Sequence, residues 1–181
     1  MSTTGQAGTG AARSGAAGPG SSRALRVLVL NGPNLDLLGT REPAIYGRET
    51  LDEINAALTA RAAELDVLVA FFQSNHEGAL IDRLHARDFD AAIVNGAGLT
   101  HTSVSLRDAL LAIERPFVEV HLSDPATREP FRRVNFLEDI AAARFVGMQA
   151  RGYTLALEEL AQRWAAGLIP GRARNPEAEH G

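Results

Sequence analysis

Asn31-Gly-Pro-Asn-Leu-Asp-Leu-Leu-Gly-Thr-Arg-Glu-Pro-Ala-Ile-Tyr-Gly47 follows directly on the apolar run Leu25-Arg-Val-Leu-Val-Leu30. The run reads as a buried β-strand. Beyond it, closely spaced glycines, prolines and asparagines argue against a continuing strand or a helix. The stretch is therefore a long loop at the carboxyl end of a strand, and it carries amides, Arg41 and Tyr46. Ligands bind at that position in open α/β sheets. These side chains suit proton chemistry on an oxygen-rich substrate better than they suit cradling a phosphate.

Outward from that loop, strand-like and helix-like runs alternate. Thr50 with Glu53 forms a capping box, and Leu51, Ile54, Ala57, Leu58 and Ala62 give one apolar helix face as far as Asp66, which breaks it. Val67–Phe72 is a second strand, followed by Gln73-Ser-Asn-His-Glu-Gly78. Residues 79–87 read as a short helix, and Ala91–Val94 as a third strand ahead of the loop Asn95–His101. Thr102 is placed to cap a helix running to about Glu114, which Pro116 ends. Phe117–His121 is a fourth strand, Arg144–Gly147 a weak fifth, and Tyr153–Ala166 a closing helix. The pattern βαβαβαβαβα predicts an α/β fold: a flavodoxin-like, doubly wound, five-stranded parallel sheet with helices on both faces.

The 181 residues are enough for one domain with a substantial core. Residues 1–24, rich in Gly, Ala, Ser and Thr, read as a disordered tail without the apolar stretch of a secretory signal. Residues 25–169 form the expected catalytic domain and 170–181 a second tail. Absence of cysteine removes thiolate catalysis and thiolate metal sites. All 18 basic residues are arginine, so no lysine exists for a Schiff base or a phosphate loop. The formal charge of −4 carries no nucleic-acid footprint. No apolar run reaches the ~20 residues that span a bilayer, and a soluble, cytoplasmic protein is expected.

Polar residues fall after the first four strands: Asn31, Asn34, Arg41 and Tyr46; Ser74, Asn75 and His76; Asn95, Thr100 and His101; His121 and Ser123. A doubly wound sheet gathers these at one edge. Each has an ordinary reading on its own. Asn34 is a turn former, His121 a strand-end histidine, Tyr46 a surface aromatic, and Arg128, Arg132 and Arg133 a solvated charged face. Gly96-Ala-Gly98 lacks the remaining elements of a dinucleotide loop, and no HxH or HExxH spacing supports a metal.

Four motifs taken together carry a resemblance. Asn31-Gly-Pro-Asn-Leu-x-Leu-Leu-Gly-x-Arg-Glu-Pro-x-x-Tyr-Gly47, Gln73-Ser-Asn-His-Glu-Gly78, Asn95-x-x-Gly-Leu-Thr-His-Thr-Ser103 and Glu119-Val-His-Leu-Ser123 resemble the type II 3-dehydroquinate dehydratases, in the same order and over about residues 25–168. Arg128-Glu-x-Phe-Arg132 continues the match. Asp36 departs from it, since family members often carry Asn or another residue there.

The resemblance implies a lyase that converts 3-dehydroquinate to 3-dehydroshikimate through an enolate, without cofactor, metal or Schiff base, in the shikimate or quinate pathway. It implies a homododecamer built as a tetramer of trimers. It assigns Tyr46 as base, Arg41 as the cation that favours the phenolate, and Asn34 as holder of the enolate oxygen through a water. His121 becomes the general acid, supported by Glu119, with Asn95 placing the substrate. Leu122 and Ser123 offer backbone N–H groups to the substrate carboxylate. His101 and Arg132 bind ring hydroxyls, Asp108 reaches a neighbouring subunit's site, and Arg128 anchors a loop. A flavin- or nucleotide-binding module of the same fold is the alternative.

Overall fold

The structure, a computed structural model, describes residues 23–40 and 48–170. β1 (Leu25–Asn31), β2 (Val67–Gln73), β3 (Ala91–Asn95), β4 (Phe117–His121) and β5 (Ala143–Val146) form one sheet in the order β2-β1-β3-β4-β5, all parallel. That order is the flavodoxin-like arrangement, with its switch point between β1 and β3. The helices are α1 (Leu51–Glu64), α2 (Glu77–His85), α3 (Val104–Ala112) and α4 (Arg151–Ala165).

Alternation along the strands decides which helix covers which face. Val27, Val29, Ile93, Val118 and Val120 point toward Ile54 and Leu58 of α1 and Leu157 and Leu160 of α4. Leu28, Leu30, Ala92 and Val94 point toward Leu80 and Leu84 of α2 and Leu106 and Leu110 of α3. β1, β3 and β4 are buried on both faces, which explains the mostly apolar runs of β1 and β3; β4 buries Glu119 and His121 among its apolar residues.

The capping box at α1 is complete: Thr50 Oγ1 accepts from the Glu53 amide, and the Glu53 carboxylate accepts from the Thr50 amide. Asp66, Arg87 and Glu114 take left-handed φ values of 54°, 50° and 53° just beyond α1, α2 and α3, and so terminate them. Two sequence expectations need correction. Ser103, not Thr102, caps α3, because Ser103 Oγ accepts from the Leu106 amide while Thr102 closes the 3-10 turn Ala97–His101. The β4–β5 connection carries 3-10 turns at Pro125–Thr127 and Pro130–Arg133 instead of an α-helix, because two prolines and no sustained apolar period lie there.

Asn31 pairs in register with Gln73 on one side and Asn95 on the other, so three polar strand ends lie side by side. At Gly32 a Cβ would sit 2.5 Å from the Gly96 carbonyl oxygen, so the loops after β1 and β3 meet backbone to backbone. At the opposite end of the sheet, fully buried Asp90 receives Arg23 at 2.7 and 2.8 Å and the Arg26 amide at 3.0 Å. Arg23 falls inside the span read as a tail, yet it is tied to the domain. Among the described residues no helix is long and apolar enough to cross a membrane.

Candidate active site

A cleft lies at the carboxyl edge of the sheet. Pro33, Asn34, Leu35 and Leu38 enter it from the loop after β1, and Asn95, Ala97, Gly98 and His101 from the end of β3 and its turn. His121, Leu122, Ser123, Pro125, Arg128 and Arg132 close the third side. The cleft thus brings together Asn34, Asn95, His101, His121, Leu122, Ser123, Arg128 and Arg132 of the residues singled out in the sequence. Arg41 and Tyr46 lie outside the described residues. Asp108 does not line this cleft; it is exposed on α3.

His121 ends β4 and is 6% exposed, with Nε2 2.9 Å from Glu119 Oε1. Residues two apart on a strand share a face, so β4 itself aligns the pair. Glu119 is fully buried. Burial pushes its carboxyl up, but hydrogen bonds from His121 and Asn135 and the charge of Arg144 outweigh it and hold the group below the usual carboxylate range. An ionised Glu119 accepts a hydrogen bond from Nε2–H, which leaves His121 Nδ1 as the ring nitrogen not engaged by Glu119.

His101 lies nearly parallel to His121, with ring centroids 6.3 Å apart. Its Nδ1 donates to the Val134 carbonyl at 2.6 Å, so the neutral ring presents Nε2 as an acceptor. Burial, together with the neighbouring His121 and Arg132, lowers its pKa against the opposing pull of the Val134 carbonyl. A neutral acceptor of this kind suits a substrate hydroxyl.

Two non-glycine residues with left-handed backbone line the cleft, Asn34 at φ 67° and Ala97 at φ 49°. Their amides are held by side chains. Asn34 N–H donates to Asn75 Oδ1 at 2.7 Å, and Ala97 N–H donates to Asn95 Oδ1 at 3.2 Å. Asn75 and Gln73 in turn donate to Asp36 at 3.4 Å, so the residue that departs from the family pattern joins the cradle of the first loop. Arg132 Nε donates to Glu129 at 2.7 Å, and its guanidinium lies over the Phe131 ring, 5.3 Å from the centroid.

Behind the cleft runs a buried polar chain that the sequence reading misses. Asn95 Nδ2 donates to Tyr153 Oη at 2.9 Å, and Tyr153 Oη donates to Asn31 Oδ1 at 2.6 Å. Tyr153 looks like an ordinary apolar-face residue of α4; only the sheet brings it to residues far upstream. Asn135 and Arg144, both on Glu119, escape the sequence reading for the same reason. Among the described residues, no three His, Asp or Glu side chains gather as a metal site needs.

An α/β sheet of this order with a carboxylate–imidazole pair at its carboxyl edge defines a site for acid–base chemistry. The chain belongs to the class II dehydroquinase family, whose model matches residues 25–161. It is 54% identical over 141 residues to a 3-dehydroquinate dehydratase of Ralstonia pickettii, covering 76% of this chain and 91% of that protein. It is 49% identical over 137 residues to a catabolic 3-dehydroquinase of Emericella nidulans, covering 75% and 90% of the two chains. Among solved structures it is similar to the type II dehydroquinase of Propionibacterium acnes, with a TM-score of 0.73, 37% identity, and coverage of 78% of this chain and 99% of that one.

Proposed function

We propose that this protein dehydrates 3-dehydroquinate to 3-dehydroshikimate, a lyase reaction of the shikimate or quinate pathway. The observation that carries the reading is the buried Glu119–His121 pair, whose histidine lines a cleft with Asn34, Asn95, His101 and Arg132. The flavin- or nucleotide-binding alternative is not favoured: Pro33 removes a backbone donor from the first loop.

The reaction removes the C2 proton beside a ketone and expels the C1 hydroxyl. Of the two tyrosines in the chain, Tyr153 is buried away from the cleft, and burial pushes its phenol well up against the opposing hydrogen bond from Asn95. The resemblance assigns the other tyrosine, Tyr46, as base, with Arg41 favouring its phenolate. Phenolate takes the C2 proton, and the electron pair moves onto the ketone oxygen. Asn34, through a water, holds the resulting enolate. The enolate then reforms the ketone as the C1–O bond breaks, and His121 Nδ1–H gives its proton to the departing oxygen, which leaves as water. Glu119 holds the imidazolium while it is charged. Asn95 places the substrate, the amides of Leu122 and Ser123 take its carboxylate, and His101 and Arg132 its ring hydroxyls. Arg128 anchors the adjoining loop.

A homododecamer assembled as a tetramer of trimers, located in the cytoplasm, completes the proposal. Val104, Asp108 and Leu111 lie at i, i+4 and i+7 on α3, with Val104 55% and Leu111 50% exposed. An apolar stripe with a carboxylate at its centre suits docking on another subunit's cleft. The test is to mix purified protein with 3-dehydroquinate and follow the enone absorbance of the product. Absence of that absorbance with a folded, assembled preparation would overturn the reading.

A further inference from the structure

Glu119 has more partners than a carboxylate needs to support one histidine. Asn135 Nδ2 lies 3.0 Å from both of its oxygens, and Arg144 Nε 3.0 Å from Oε2. Arg144 Nη1 continues to Glu138 Oε2 at 3.1 Å. Glu119 and Arg144 are direct register partners on β4 and β5, so two neighbouring strand backbones fix the contact. Asn135 is fixed as well, because its Oδ1 accepts from the amides of Leu137 and Glu138. Arg144 does not line the cleft, and its side chain is 32% exposed at the edge of the sheet.

We infer that Arg144 is a positioning residue for the proton donor: it pins the Glu119 carboxylate on the side away from His121 and draws off part of its charge. The inference rests on the proposed role of His121 as general acid. A carboxylate paired only with an imidazole strengthens that imidazole's hold on its proton. A carboxylate shared with a guanidinium is nearly neutral as a pair and does so less. Arg144 therefore keeps Glu119 ionised while keeping the donor acidic enough to release its proton to the leaving oxygen. Among the described residues, the other charged groups near the pair are His101 from the turn after β3, Arg128 and Arg132, which line the same cleft as His121 after β4, and Glu138, which shares Arg144.

The test compares kcat–pH profiles of wild type, Arg144→Met, Arg144→Lys and Glu138→Gln. Methionine keeps the unbranched stem without the charge. In Arg144→Met the Glu119–His121 pair keeps its proton to higher pH, so the alkaline limb should move up by about 0.5 to 1 unit, a shift discounted for the exposure of Arg144. Maximal kcat should fall several-fold, because the donor is weaker. Arg144→Lys should restore most of both effects. Glu138→Gln leaves more of the guanidinium to Glu119, so the limb should move down by a smaller amount. A merely structural Arg144 would lower Tm and leave the limb in place, and that result overturns the inference. If wild type itself does not turn over 3-dehydroquinate, the functional reading has failed instead. The imidazole titration of His121, assigned in an NMR spectrum against His121→Gln, reads the same shift without turnover; no movement there also overturns the inference.

Discussion

Tyr153→Phe isolates one hydroxyl behind the cleft. The ring is fully buried, and phenylalanine keeps its packing against the sheet. The lost oxygen accepts from Asn95 Nδ2 and donates to Asn31 Oδ1. A buried polar group left without a partner costs about 1–3 kcal/mol. Two groups are stranded, and Asn31 Nδ2 already lacks a partner among the described residues. Destabilisation of about 3 kcal/mol follows, in the lower half of the summed range of about 2–6 kcal/mol. For a chain of this size, that corresponds to a Tm lower by roughly 6–12 °C. Asn95 then keeps only the Ala97 amide on Oδ1 and is free to turn, so kcat/KM should fall about tenfold, equivalent to about 1.4 kcal/mol. Thermal and urea unfolding, with steady-state turnover on the same preparation, read both effects. A variant within about 0.5 kcal/mol of wild type with unchanged kcat/KM would refute the idea that this chain supports Asn95.

Tyr46→Phe should nearly abolish turnover while leaving substrate affinity largely intact; a variant that retains a large share of wild-type kcat removes the base assignment. Burial pushes the Asp90 carboxyl up, but Arg23 and Arg26 overcome it and hold it at about 2, against an ordinary 3.8. Its contribution, about 2 kcal/mol, is complete above about pH 4 and is lost as pH falls through 2. Asp90→Asn should thus be less stable than wild type at pH 7 by about that amount, with the gap roughly halved at pH 3; an equal gap at both pH values would show that the ionised carboxylate is not the cause. Deleting residues 1–22 should leave turnover and Tm unchanged, whereas deletion through Ala24 should lower Tm by removing the Arg23–Asp90 pair; equal Tm values for the two truncations would deny that pair a role. Asp108→Ala should give particles of normal size with a raised KM, and a normal KM would confine Asp108 to the surface of its own subunit.

The fold is readable from the sequence because local signals and tertiary demand agree. β1 and β3 are short, mostly apolar runs buried on both faces, and a run of that kind has few other uses. Thr50 and Glu53 announce the start of α1 by chemistry that closes within four residues. The misplacements have local causes too. Thr102 and Ser103 are adjacent capping residues, and only the 3-10 turn that consumes Thr102 gives the cap to Ser103. The stretch between β4 and β5 shows no helix of its own in the sequence, yet strict alternation implies one; Pro125 and Pro130 break it into turns.

The site divides along a different line. Residues that line the cleft are legible because they lie at strand ends and in the loops beyond them, where polar side chains have no role in the core and stand out. Residues that hold those side chains are not, because each looks correct for its element. Tyr153 is an aromatic on the buried face of a helix, and its partner Asn31 lies 122 residues away. Arg144 is a charge on an edge strand, a place where charges commonly prevent sheet-to-sheet association. Its meaning depends on the register that sets it opposite Glu119, and register is not a property of either strand alone. The same physics explains why Glu119 is legible only as part of a motif. A carboxylate in the middle of Phe117-Val-Glu-Val-His121 contradicts an apolar strand unless several donors reach it. Three side chains do: His121 from its own strand, Asn135 from the following loop, and Arg144 from the next strand. A buried acid in a short apolar strand is therefore a pointer that the chain's own letters carry. It requires donors, and the neighbouring strands and the loops that return to them are the places that can supply them.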